Sequence, residues 1–503
     1  MSSSWLFLHL IPLAALAAAL LALGLLSREP AAGAGPDRSG GKAWIAAGAL
    51  SLAVLAGGFA LDHSLAIDTD DAPITWRYAG NLAAGNGWVY NTGESVSGTS
   101  TPLFTILLAA FRKAALPVET TALLLGIGGL VCLPLLLLGA GRAAAGSAAG
   151  LLAAAIAMTE GPLAVYATQG METVFYSALI VGALLAYACG RDRLAWLLAA
   201  LCVLVRLDGA AVPAAFVLCD FLGRRRPSPG GILLFLLMTL PWAIHAQITF
   251  GSVLPESFTA KRTHTRHSEP YWMALSLLRD GAVLFVPLGL LGFARLAASG
   301  GRNLVWALWL VFYVGAYTAT GLDAYPWYRV PLVPVLALGA GAGASLVTGA
   351  LLRHWPSRLA VTAAAACLLL AGVSRAGAWR DSLAAYADQL RVWEAPRVAT
   401  GEWLREHAAP GSVVRTSAIG HIGWISGLRI QDTSGLVSPE ALAGGFPDGS
   451  ADYIVGHDGD PQPGVVFRLE DPRYVLVQSL AVEPTVVYRI YGRRDPAAAM
   501  RAP

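Results

Sequence analysis

The sequence predicts an α-helical polytopic membrane protein of about twelve spans with a small α/β domain at its C-terminal end. Three observations lead there. Of 503 residues, 56% are hydrophobic and only 13% charged, whereas a soluble globular chain carries nearer a quarter charged residues. Apolar runs of roughly 20 residues, the length that spans the hydrocarbon core of a bilayer, recur along the chain. Charge is gathered at one end: residues 377–503 hold 27 of the 67 charged side chains, which divides the chain into 1–376 and 377–503. A formal net charge of +3 gives no electrostatic footprint for nucleic acid.

The candidate spans are 5–26, 43–61, 119–140, 145–166, 171–189, 194–206, 209–222, 231–250, 281–297, 303–321, 328–350 and 358–376. The segment from Trp5 to Leu26 lacks a basic leader and is long enough to cross, so it reads as a span rather than a cleaved signal. Basic residues fall in alternate short loops: Arg28, Arg38 and Lys42; Arg142; Arg191 and Arg193; Arg224, Arg225 and Arg226; Arg302; Arg353 and Arg358. With those loops in the cytoplasm, both termini and the long polar connections 62–118, 251–280, 321–329 and the tail face outward. Residues 101–116 are apolar but short. They read as an interfacial or re-entrant helix with Arg112 and Lys113 at the headgroups. Residues 194–222 leave room for two short legs with Arg206, Leu207, Asp208 and Gly209 at their apex, where Arg206 and Asp208 are expected to pair. In the tail, 383–407 reads as helix, and Ser412–Thr416, Tyr453–Val455, Tyr474–Gln478 and Val486–Tyr491 read as strands. The five cysteines, Cys132, Cys189, Cys202, Cys219 and Cys367, lie in apolar segments without metal-ligand spacing and read as core residues.

The stretch after the second span is the richest in chemistry. Asp68, Asp70 and Asp71 stand together at the outer end of a helix, followed by Arg77, Tyr78, Asn81, Trp88, Tyr90, Asn91 and Glu94. Clustered carboxylates suit a general base. They also suit a shared divalent cation held by Asp68, Asp70 and Asp71, pairing with Arg77, or simple helix capping. The Trp, Tyr, Asn and Gly residues that follow are of the kind that build sugar-facing surfaces. No phosphate-binding glycine loop, dinucleotide fingerprint or H-E-x-x-H motif is present.

The order Asp70-Asp71-Ala72-Pro73-Ile74-Thr75-Trp76-Arg77-Tyr78-Ala79, then Asn81-Leu82, Gly85, Gly87 and Asn91, then Gly93-Glu94 to Pro102, resembles the first outer loop of bacterial GT-C glycosyltransferases. Within them it is most similar to the group containing the mycobacterial terminal arabinofuranosyltransferases. Other stretches agree: Ala167–Thr173 with Glu172, Arg206–Gly209, Leu254–Lys261 with Glu256, Tyr328–Pro334, Gly401–Arg405 and Ala418–Gly423 with His421. Two stretches depart from the group. Gly98-Thr99-Ser100-Thr101-Pro102 lacks its usual aromatic pair, and Arg206-Leu207-Asp208-Gly209 stands where relatives often have Arg-Pro-Glu-Gly. Both bear on donor and acceptor identity rather than on reaction class.

The resemblance implies sugar transfer from a polyprenyl-phosphate donor to a hydroxyl of an envelope glycan, glycolipid or protein, on the outer face of the bacterial cytoplasmic membrane. Asp70 or Asp71 would be the base of an inverting displacement. Lys261, Arg262 and Arg329 would meet the donor phosphate, Arg as a bidentate fork and Lys as a point charge. Arg77, Tyr78, Trp88, Glu172, Glu256, His264 and His421 would surround substrate, Glu172 by orienting Arg77 or the acceptor. Each has a plainer alternative: headgroup anchoring for the cations, a helix cap for Glu172, loop packing for His421. Two other functional classes fit the composition, a multi-pass transporter and a non-catalytic glycan-binding scaffold.

Overall fold

The computed structural model describes residues 10–26, 40–65, 68–264, 285–320, 325–354, 381, 383–458, 469–483 and 486–494. Helices occupy the apolar segments in the anticipated order: Leu10–Leu26, Gly40–Leu65, Val118–Ala144, Ser147–Met158, Thr173–Ala188, Asp192–Val205, Ala211–Leu222, Pro229–Phe250, Phe285–Ala298, Val305–Thr320 and Leu332–His354. The anticipated span 358–376 lies outside the described residues. Four helices, Gly40–Leu65, Val118–Ala144, Pro229–Phe250 and Leu332–His354, contain stretches long and apolar enough to cross a bilayer. Ser147–Met158 and Gly161–Thr168 bend by 65° and give a fifth crossing if they form one broken span. By length and composition alone, the described helices thus supply four or five crossings, beside the shorter apolar helices Thr173–Ala188, Pro287–Ala298 and Val305–Thr320. The break falls within the segment 145–166 read as one span. There Glu160 takes extended backbone and Pro162 occupies the first turn of the second piece, where its missing N–H costs nothing.

The chain folds as two compact units. The first comprises Met1–Ser64, Ala122–Trp242 and His267–Leu383. Its helices meet through small residues. A methyl group added at Gly292 would overlap the Gly339 carbonyl, and one at Gly343 the Leu288 carbonyl. The helices Phe285–Ala298 and Leu332–His354 therefore touch backbone to backbone, as membrane helices do where lipid offers no hydrophobic drive to associate. Two short legs, Asp192–Val205 and Ala211–Leu222, are joined by a tight turn at Leu207–Ala210, as the charge pattern anticipates.

The second unit comprises Leu65–Thr121, Ala243–Arg266 and Ala384–Pro503, so the tail shares it with the outer loop and the Glu256–His264 helix. Its sheet has five strands: β1 (Val413–Thr416), β2 (Arg429–Asp432), β3 (Tyr453–His457), β4 (Tyr474–Glu483) and β5 (Val486–Arg493), in the order β2-β1-β3-β5-β4. β1 is parallel to β2 and β3, and β5 is antiparallel to β3 and β4. Ala451, Ile454, Tyr474 and Tyr491 form its buried centre. The strand β2, absent from the sequence reading, is a four-residue strand with an arginine and an aspartate at its ends, too short and polar to stand out. Its free edge is closed by a side chain. Asn91 Nδ2 donates to the Ile430 carbonyl at 2.8 Å, and the Ile430 N–H donates to Asn91 Oδ1 at 3.0 Å. The amide thus imitates one residue of a missing strand.

Residues 383–407 are helical throughout, with a π turn at Leu390–Glu394. Pro396 explains the turn, because it has no N–H to give to the preceding helical ladder. The widened turn leaves Glu394 buried on the inner face. In the connection between the helices Gly40–Leu65 and Val118–Ala144, Asp71–Ala84 and Pro102–Lys113 are helices. The second is amphipathic: Phe104 and Leu108 are buried, Ile106 and Phe111 exposed, and Arg112 and Lys113 complete its last turn.

Candidate active site

The site lies in the second unit, where the Asp71–Ala84 helix begins. Asp70 holds the position before that helix, yet its side chain makes no cap to it. Its carboxylate instead accepts the His421 N–H at Oδ1, 2.7 Å, and the Gly420 N–H at Oδ2, 3.3 Å. These are first-turn donors of the helix Ile419–Ser426 that would otherwise lack partners. The carboxylate also meets the positive end of that helix. Asp71, one residue on, diverges from it. Its Oδ2 lies 3.4 Å from Lys261 Nζ, and its side chain keeps 31% of its surface open. Adjacent acids therefore hold opposite stations, Asp70 buried at 9% exposure and Asp71 facing outward toward a cation.

The close approach of the tail to Asp70 depends on glycine. A methyl group at Gly420 would overlap the Asp70 carbonyl, and one at Gly423 the Tyr90 hydroxyl. The Gly420-His421-Ile422-Gly423 run thus presents a helix face without side chains where it lies on the loop. Around Asp70 stand Glu394, Arg397 and His421. Arg397 Nη1 donates to Glu394 at 2.8 and 3.0 Å and reaches to 4.0 Å from Asp70 Oδ2. Its Nε donates to the Tyr488 hydroxyl at 2.7 Å. Burial, with the Asp70 charge adding to it, pushes the Glu394 carboxyl up to about 7. Burial holds His421 below its ordinary value, and its Nε2–H donates to the Asp68 carbonyl at 2.8 Å.

The sequence allows a divalent cation on Asp68, Asp70 and Asp71, but the Asp70 carboxylate meets the Gly420 and His421 N–H groups and that of Asp71 meets Lys261. The groups brought together are Asp70, Glu394 and His421, whose donor atoms lie within 4.8 Å of one another. They do not suit a metal as they stand. Both Glu394 oxygens are engaged by Arg397, both Asp70 oxygens by backbone N–H groups, and His421 Nε2 by a carbonyl. The Arg397 guanidinium already supplies the positive charge there.

Three residues expected at the substrate surface are turned inward, against the loop and the tail. Arg77 donates from all three nitrogens: Nε to Tyr90 O at 2.9 Å, Nη1 to Gly423 O at 2.5 Å, and Nη2 to Leu428 O at 2.7 Å and Asn91 Oδ1 at 3.3 Å. Tyr78 is fully buried, its hydroxyl donating to Val96 O and accepting from Gly98 N. Trp88 and Tyr90 pack beside it with ring centroids at 6.2 and 5.9 Å. Irregular backbone must find partners for its carbonyls; Tyr78 serves one in the loop, and Arg77 serves one in the loop and two in the tail.

Glu256 opens the Glu256–His264 helix, its N–H donating to Ser97 O at 2.8 Å. Lys261 and the exposed Arg262 lie along that helix, while the His264 side chain lies outside the described residues. In the first unit, Glu172 accepts from Arg206 at 2.8 Å rather than orienting Arg77. Arg206 also pairs with Asp208 at 3.2 Å, and Asp208 accepts from the hydroxyls of Tyr317 at 2.5 Å and Tyr313 at 3.2 Å. Arg329 follows the Pro326–Tyr328 turn and is half-buried. Glu394 and Arg397 were missed from sequence. Their only trace there is an acid and a base three residues apart on a helix, a spacing common on solvated faces.

These elements, a mostly helical body of membrane-spanning character and a small C-terminal sheet, make up a GT-C-like fold. The chain is similar in structure to ArnT from Cupriavidus metallidurans bound to undecaprenyl phosphate, at 13% identity and a TM-score of 0.60 over 90% of this chain and 98% of that one. It is also similar to the oligosaccharyltransferase AglB from Archaeoglobus fulgidus in complex with an inhibitory peptide and a dolichol-phosphate. There the identity is 12% and the TM-score 0.55, over 80% of this chain and 69% of that one. A family model described as a domain of unknown function, DUF8728, matches residues 381–499. No curated protein sequence matches significantly.

Proposed function

We propose that this chain is a membrane glycosyltransferase that moves a sugar from a polyprenyl-phosphate donor to a hydroxyl of an envelope glycan, glycolipid or protein. It works on the outer face of the bacterial cytoplasmic membrane. The observation that carries this reading is the division of labour between Asp70 and Asp71. Asp70 is fully engaged in holding the tail, and Asp71 presents a partly open carboxylate beside Lys261. Asp71 takes the proton of the acceptor hydroxyl as that oxygen attacks the anomeric carbon. The bond from that carbon to the phosphate oxygen breaks, and its electron pair leaves on polyprenyl phosphate. Attack opposite the leaving group inverts the anomeric centre. Lys261 meets the phosphate charge as it develops, with the exposed Arg262 on the same helix as a second donor. The lipid phosphates bound to ArnT and to AglB, proteins of the same fold, support a donor of this class.

The test is turnover in nanodiscs of a panel of polyprenyl-phosphate sugars, arabinofuranose among them, with an Asp71→Asn control. The expected result is release of polyprenyl phosphate by the wild type and its loss in Asp71→Asn, with donor binding retained. A wild type that neither binds nor turns over any donor overturns the reading, and solute flux would then be measured. Arg329→Gln and Lys261→Gln in the same assay determine which cation serves the phosphate.

A further inference from the structure

We propose that Arg397, on the tail helix Ala395–His407, is a positioning residue for the acidic pair at the start of the Asp71–Ala84 helix, an inference that rests on the reading of Asp71 as the base. The tail then belongs to the catalytic apparatus and is not an appended binding module. The geometry is a chain of short contacts. Tyr488, on the inner strand β5, accepts from Arg397 Nε at 2.7 Å. Arg397 Nη1 grips both oxygens of Glu394 and stands 4.0 Å from Asp70 Oδ2. Asp70 is joined by one peptide bond to Asp71.

Charge explains why a cation is needed. Asp70 and Glu394 are both buried, their carboxylates drawn into one small cluster with the His421 ring. Two buried acids side by side disfavour each other's charged form, and the Arg397 guanidinium bonds one and stands 4.0 Å from the other. Geometry explains why that cation is arginine. Its planar fork serves a carboxylate through Nη1, which also stands 4.0 Å from Asp70, and a hydroxyl through Nε, in one fixed geometry. A lysine ammonium is a compact point charge on a flexible stem and offers no such rigid fork. Without this cation, the Asp70 carboxylate is left buried with no compensating charge and withdraws from the Gly420 and His421 N–H groups. The first turn of the Asp71–Ala84 helix then loses its anchor, and Asp71 its fixed direction. A misplacement of about 1 Å in a reacting group costs on the order of 100-fold in rate.

Arg397→Met and Arg397→Lys test this in the full chain reconstituted in nanodiscs, by two measurements. With the donor that the wild type turns over, Arg397→Met should lower kcat by about 10- to 100-fold with the donor KM within about twofold, and Arg397→Lys should recover part of the loss. Without any donor, backbone hydrogen exchange over residues 71–76 should rise at least tenfold in Arg397→Met and less in Arg397→Lys. Wild-type kcat and exchange in a folded Arg397→Met protein overturn the proposal. So does a kcat loss in both variants with exchange at 71–76 unchanged. Should Arg397→Met not fold, Arg397→Lys and Tyr488→Phe carry the same two readouts, and unchanged exchange in both overturns it. If the wild type turns over no donor, the glycosyltransferase reading fails, while the exchange experiment still decides whether Arg397 holds the acidic pair.

Discussion

The His421 N–H donates to Asp70 Oδ1 at 2.7 Å across 351 residues of sequence. This bond ties the start of one helix, in the outer loop, to the start of another, in the tail. It gives the buried carboxylate partners, and it gives the Ile419–Ser426 helix the acceptor its first N–H groups need. The neighbouring carboxylate is thereby left as the one that faces outward.

Gly420→Ala tests the closeness of that contact. The added methyl would overlap the Asp70 carbonyl, backbone that has no rotamer to yield. Overpacking of this kind costs about 1–3 kcal/mol. The expected outcome is a lower thermal midpoint in nanodiscs and faster backbone exchange near both residues 70 and 420. Gly423→Ala, which meets the Tyr90 hydroxyl, should behave similarly. A Gly420→Ala protein with wild-type midpoint and exchange would mean that the two helices do not lie this close.

Asp70→Asn and Asp71→Asn should separate stability from turnover. At position 70 an amide keeps one acceptor where two N–H groups donate, and it removes a charge from a helix terminus, a loss of about 1–3 kcal/mol. At position 71 the ion pair is long and only partly buried and contributes modestly to stability, but loss of a general base costs about 100- to 10,000-fold in rate. Thermal midpoints and kcat measured side by side should therefore show Asp70→Asn destabilised and Asp71→Asn inactive but stable. The reverse pattern would make Asp70 the base.

Part of this arrangement is legible in the sequence and part is not, for physical reasons. Periodicity and apolar run length place the helices, because a membrane segment must satisfy its own backbone. The turn at Leu207–Ala210 is legible because Arg206 and Asp208 are costly at that depth without each other. The Asp70-Asp71 pair stands out as a cluster, but its division of roles does not. That depends on which residue meets Gly420, a partner fixed by tertiary packing. Arg77, Tyr78 and Trp88 mislead because the residue types that bind sugars are also those that fill an irregular loop. Glu394 gives only the weak signal of an acid three residues before a base, since its burial follows from a π turn set by Pro396 two residues later.

Glu394 and His421 should impose opposite pH dependences on stability. The Glu394 carboxyl goes from an ordinary 4.5 to about 7 on folding, so between those values the folded state holds a proton that the unfolded state has lost. Stability from this group therefore falls as pH rises through that window, by about 3 kcal/mol in total, and is flat above it. His421 is held below its ordinary value of 6.5, so its contribution is present above that pH and lost as pH falls below it. The two partly cancel on the acid side. Glu394→Gln should raise the thermal midpoint at pH 8 relative to pH 5, and His421→Gln should flatten the acid limb. Parallel midpoint curves for wild type and Glu394→Gln from pH 5 to 8 would show that Glu394 is not protonated preferentially in the fold.

Arg206 should be indispensable for a different reason. Its guanidinium serves Glu172 and Asp208, all three largely buried, with Tyr313 and Tyr317 completing the hydrogen bonds of Asp208. Removing one partner from a buried ionic set leaves uncompensated charge and costs about 3–5 kcal/mol, whereas replacing the whole set by neutral groups of similar size is often near neutral. Arg206→Met should therefore sharply reduce the yield of monodisperse protein in size-exclusion chromatography. Combining it with Glu172→Gln and Asp208→Asn should restore much of that yield, because the stranded charges are gone. If the triple variant is no better than Arg206→Met alone, the guanidinium acts through packing against Tyr176 and Tyr328, whose rings lie 5.6 and 5.1 Å from it, rather than through its charge.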